Sequence, residues 1–133
     1  MSYLVDTNVL SELARRRPNA DVVAWAQGVS TVTLSVITVE EIFFGLAWKP
    51  NARVREWFET FLVEHCHVHP LTQDIARAAG ELRGRLKAGG AVRTQADMLI
   101  AATAQAHHLT LVTRNIRDFE GCGIGLFNPF SRT

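Results

Sequence analysis

Cysteine is scarce in this chain of 133 residues, with Cys66 and Cys122 standing alone and far apart. Without a paired-thiol spacing, a disulfide framework and a thiolate zinc site are both disfavoured, and two reduced, structural thiols are expected. Lysine is nearly missing too: Lys49 and Lys87 are the only two among 14 basic residues. Neither charge sign is in excess, because 13 acids leave a formal net charge of +1, too little to draw in nucleic acid by bulk field. No apolar run approaches the roughly 20 residues that a membrane helix needs. The opening residues also lack the basic stretch and long apolar segment of a secretion signal. A soluble, cytoplasmic protein without a membrane partner is the expectation. No repeat or low-complexity tract appears, so residues 1–133 are expected to form a single domain.

What is present is alternation. Tyr3, Leu4 and Val5 rise as a short strand to Asp6, and Asn8 to Leu13 then read as helix. Ala20 to Gln27 read as a second short helix ended by Gly28, and Thr31 to Leu34 as a β-branched strand. Thr38 followed by Glu41 has the spacing of a capping box, which would open a helix there, stopped by Pro50. Val54, Trp57, Phe58, Phe61 and Leu62 fall on one face of an amphipathic helix. A third strand is expected over His67 to Leu71, and Thr72 then caps a helix in which Ile75, Ala78, Ala79, Leu82 and Leu86 keep the helical period. The helix from Gln95 to His107 has almost no polar face and should be buried all round. Thr110 to Thr113 make a fourth strand, and Gly125 to Phe127 a short last one. Strands alternating with helices predict a parallel sheet of four or five strands covered on both faces.

The acids stand where such sheets put their chemistry, at strand carboxyl ends and helix starts. Asp6 follows the first strand, Asp97 lies in the first turn of the apolar helix, Glu41 near the start of another, and Asp118 in the polar turn after the fourth strand. Each has a bland reading: Asp97 as an acid facing the helix amino end with Thr94 as the cap, Glu41 as a capping-box partner, Asp118 as a turn residue. Taken together they have another. If strands one and four are adjacent, these acids converge, and carboxylates so close repel unless a cation shares the site. Oxygen donors without Cys or His select Mg²⁺ or Mn²⁺ over zinc. Such a site suits phosphodiester hydrolysis.

The runs Leu4-Val5-Asp6-Thr7-Asn8, SVITVEEIFFG from Ser35, DMLIAATA from Asp97 and LVTRNIRDF from Leu111 resemble the PIN-domain ribonucleases. Within them the chain is similar to the VapC-type toxins of toxin-antitoxin pairs, and its Phe127-Asn128-Pro129-Phe130 ending to the FitB-like branch. The resemblance implies a three-layer α/β/α sandwich and a metal-dependent endoribonuclease using Mg²⁺ or Mn²⁺. It also implies RNA as substrate, a homodimer and a small inhibitory antitoxin. It carries Asp6, Glu41, Asp97 and Asp118 over as catalytic acids, with Asp6 and Asp97 on the metal. Asn8, Thr113 and Asn115 would support them. The FitB-like branch places its fourth acid directly after the Thr-Arg pair, where this chain has Asn115, whereas Asp118 matches the later acid of other members. Arg93 and Arg114 are the candidates for RNA contact, with surface solvation the competing reading. His107 and His108 read as a helix end.

Two alternatives remain open. A non-catalytic module can retain the fold without the activity. A haloacid-dehalogenase-type phosphatase also starts from an Asp after its first strand, but it needs a second acid two residues on, where Asn8 stands.

Overall fold

Leu4 and Val5 are neighbours on one strand, point to opposite faces and are both buried, which requires cover on both sides of the sheet. The computed structural model, which describes residues 2–130, shows that cover. Its strands are β1 (Tyr3–Val5), β2 (Val32–Ser35), β3 (Cys66–His69), β4 (Thr110–Val112) and β5 (Leu126–Phe127). They form one parallel sheet in the order β3-β2-β1-β4-β5. Six helices complete the layers: α1 (Thr7–Leu13), α2 (Ala20–Gln27), α3 (Val36–Trp48), α4 (Ala52–Glu64), α5 (Gln73–Ala88) and α6 (Gln95–Ala106).

Two cores follow from the pleat. On one side Leu4 and Leu111 meet Ile75, Ala79 and Leu82 of α5 and Met98, Ile100, Ala101 and Ala104 of α6. On the other Val5 and Val112 meet Val9, Leu10, Val22, Ile42, Leu46 and Phe58 from the first four helices. The three-layer sandwich with a five-stranded parallel sheet agrees with expectation, and so does the burial of α6.

Successive strands β1, β2, β3 step one way across the sheet, and β4, β5 the other. The register Leu4 to Leu111 and Val5 to Val112 sets β1 against β4 at the switch point, where the crevice of an open α/β sheet lies.

One helix start is corrected. Ser35, not Thr38, caps α3, its hydroxyl accepting from the Ile37 N–H at 3.0 Å. The β-branched pair Val36-Ile37 reads locally as extended, yet β2 runs straight into the helix because Ser35 ends the strand and caps in one residue. Thr38 is wholly buried, and its hydroxyl meets no hydrogen-bond partner among the described residues. Glu41 is therefore not a capping-box partner. The third strand also ends sooner than expected, at His69, where Pro70 brings no N–H to a ladder.

Candidate active site

Asp6 does two jobs at the end of β1. It caps α1, with Oδ1 accepting from the Thr7 N–H at 2.8 Å. Its Oδ2 accepts from the Thr113 hydroxyl at 2.8 Å and from the Asn8 side-chain amide at 3.0 Å. Only 5% of Asp6 is exposed. The strand pairing makes this possible, since the Asp6 N–H itself donates to Val112 O at 2.9 Å. Burial raises the proton affinity of Asp6, the three hydrogen bonds oppose that, and the charge of Asp118 adds to it.

Asn8 and Thr113 lock β1 to the loop after β4. The Asn8 amide oxygen accepts from the Arg114 N–H at 3.0 Å, and the Thr113 hydroxyl accepts from the Asn115 N–H at 3.0 Å. Glu41, on the second turn of α3, reaches the same place through α1, which shares its core: its Oε1 accepts from the Thr7 hydroxyl at 2.7 Å. Thr7 is a participant that the sequence reading did not single out; its only local signal is its place between Asp6 and Asn8 in the first turn of a helix.

Asp97 is half-buried in the first turn of α6, whose N-cap, Thr94, accepts from the Asp97 N–H at 3.1 Å. The local capping reading is thus correct as far as it goes, and it leaves the carboxylate facing other acids. Burial raises its proton affinity, the Thr94 hydroxyl opposes that, Asp6 and Asp118 raise it further, and Arg93 lowers it. Glu41 is raised likewise, by burial first, against the Thr7 hydrogen bond and with the charges of Asp6, Asp97 and Glu40. Asp118 sits exposed on a 3-10 turn, Ile116–Phe119, within electrostatic reach of Asp6 and Asp97. Asn115 precedes that turn, and its side chain makes no capping bond to it.

The four acids therefore face one crevice from four elements. Among the described residues no three Asp, Glu, His or Cys side chains stand ready to hold an ion unaided. A divalent ion that keeps several waters and takes one or two carboxylates would fit such a donor set. Asp6 retains capacity for one: a carboxylate offers about four acceptor sites, and three donors are in place. A groove of about 550 Å³ between α3 and α6, lined by Glu41, Phe44, Gln95 and Leu99 among others, opens beside the acids.

The two arginines part company. The Arg114 side chain is exposed and lies over the Phe130 ring at 4.6 Å. Arg93 is half-buried and turned onto the protein, donating to Asp118 O at 2.6 Å and to Glu120 O at 2.9 Å. His107 caps the end of α6, as expected, and its ring stacks on His69 at 3.8 Å, away from the acids' network.

Comparison with known proteins bears on this geometry. A family model described as the PIN domain matches residues 3–121. The chain is 38% identical to the VapC ribonuclease Y4jK of Sinorhizobium fredii over 96% of both chains. Among solved structures it is similar to FitAcB from Neisseria gonorrhoeae, with a TM-score of 0.84 and 33% identity over 98% of this chain and 99% of that one. A toxin-antitoxin complex from Klebsiella pneumoniae matches with a TM-score of 0.73 and 30% identity over 98% of this chain and 100% of that one.

Proposed function

Because the chain belongs to the PIN-domain family, we propose that it is an endoribonuclease that hydrolyses RNA phosphodiester bonds, and the toxin of a toxin-antitoxin pair. The observation that carries the reaction is Asp6: a buried carboxylate held by three donors at a switch point, whose charge acts on Glu41 and Asp97 and which feels that of Asp118. The ribonuclease and toxin-antitoxin relatives point the same way.

Asp6 and Asp97 would hold a divalent ion, Mg²⁺ or Mn²⁺, with Asp118 beside them. When bound it supplies Lewis-acid polarisation of the phosphate and offsets the repulsion among the acids. Thr7, Asn8 and Thr113 keep the Asp6 and Glu41 carboxylates oriented before substrate arrives, so little reorganisation accompanies the reaction. Glu41 bonds to Thr7 through one oxygen, and the other receives the proton of the attacking water. The water oxygen bonds to phosphorus, the ester bond to the leaving oxygen breaks, and that oxygen is protonated from solvent. Arg114, whose side chain is exposed, would meet RNA phosphates.

The rest of the reading is a single PIN-like domain over residues 1–133, a homodimer, a small antitoxin as partner and a cytoplasmic location. Among the described residues no helix is long and apolar enough to cross a membrane.

RNA cleavage by the purified protein is expected to require Mg²⁺ or Mn²⁺ and to stop with chelator. Asp6→Ala and Asp97→Ala should each lower it by about 10²-fold or more while retaining the wild-type circular dichroism. Unchanged cleavage in both folded variants would sink the assignment. The alternative, a non-catalytic module, draws on the lack of a ready-made three-acid cluster among the described residues. It predicts RNA binding without cut ends at any metal concentration.

A further inference from the structure

The 3-10 turn bearing Asp118 has little support of its own. It is four residues long, in a helix type with poor hydrogen-bond geometry. It leads into a glycine-rich segment in which Gly121 and Gly123 take φ of 83° and 73°. Its anchors are side chains. Phe119, 1% exposed, plugs into the core beneath α6. On either side of that plug the carbonyls of Asp118 and Glu120 both accept from the Arg93 guanidinium. Arg93 in turn directly precedes Thr94, the cap of the helix whose first turn holds Asp97. One side chain thus ties the start of α6 to the turn carrying Asp118.

We propose that Arg93 is a positioning residue, fixing the Asp118 turn against the Asp97 helix start, and that it is not an RNA contact. This rests on the nuclease reading for its consequence in catalysis. A planar fork fits the task because it presents parallel N–H groups in fixed geometry, whereas an ammonium is a point charge on a flexible stem. The distinction is therefore one of shape: Arg93→Lys keeps the charge and loses the fork.

The test uses the full chain and Mn²⁺ itself as probe. Arg93→Lys and Arg93→Ala are each titrated with Mn²⁺ by calorimetry without RNA, followed by amide hydrogen exchange, and assayed for kcat and KM on RNA. The expected result is about tenfold weaker Mn²⁺ binding in both, the scale seen when partners that orient metal ligands are removed. Exchange should quicken at Asp118 and Glu120 while α5 and α6 stay protected, and kcat should fall with KM within about twofold on the same grounds. Rescue by Lys, unchanged Mn²⁺ affinity with a raised KM, or faster exchange throughout the chain would each overturn the proposal. Absence of RNA cleavage by the wild type would instead count against the nuclease reading, and the Mn²⁺ and exchange results would still decide the role of Arg93.

Discussion

At the scale of single residues, the site sets a buried carboxylate among others, and its donors keep it ionisable. Asp6, Glu41 and Asp97 all have proton affinities raised chiefly by burial. The folded state therefore holds protons that the unfolded state releases above the ordinary values of 3.8 for Asp and 4.5 for Glu. Their stabilising effect is complete below those values and is lost as pH rises through the raised ones. His69 acts oppositely: burial, then His107 and His67, lower it from 6.5, so stability is lost as pH falls below that value. Asp6→Asn removes the titration of this group, at the cost of an acceptor for Thr113 and Asn8 that weakens the fold equally at every pH. In metal-free buffer its melting temperature should gain on the wild type as pH climbs from 4 to 7, and Mn²⁺ should raise the wild type more than the variant. A gap between variant and wild type that stays constant or widens as pH climbs would contradict this. The fourth position is open to test at the same scale. Asp118 acts on two of the other acids, whereas Asn115 is engaged through its backbone N–H. Asp118→Asn should cost about 10²-fold in cleavage, and Asn115→Ala far less; the reverse order in initial rates would transfer the role to Asn115.

At the scale of elements, two caps of like kind separate stability from chemistry. Thr94 caps α6 and Asn51 caps α4, each accepting from the third residue on at 3.1 Å. Replacing either by Ala should cost about 1 kcal/mol in denaturant unfolding. Only Thr94→Ala should also reduce cleavage, because Asp97 lies in the turn that this cap holds; equal activity loss in both would mean that stability alone was being read. The helices themselves were legible in sequence wherever their period was strong. The boundaries of α2 and the Thr72 and Thr94 caps lie where local pattern places them. The start of α3 was not, since a serine that ends a strand and caps a helix at once leaves no intervening loop to mark it.

At the scale of the whole molecule, strand order makes the site. Leu111 is wholly buried opposite Leu4 in the register that seats Asp6 beside Thr113. Leu111→Ala should lower unfolding free energy by about 2–5 kcal/mol. A loss under 1 kcal/mol in urea unfolding would show that β4 is not the keystone of the pairing described. The sequence alone determined the alternation of strands and helices, the burial of the middle of α6 and the placing of acids at element ends. Those signals are local, carried by residues a few positions apart. Tertiary structure decided which acids meet and what holds them. The Thr113 to Asp6 bond spans 107 positions and the Thr7 to Glu41 bond 34. Both exist because β4 inserts beside β1 and α3 packs near α1, a choice made by the joint burial of two cores. Arg93 shows the same limit: its charge was visible in the sequence, and its two carbonyl partners came into reach only through the packing of Phe119 beneath α6.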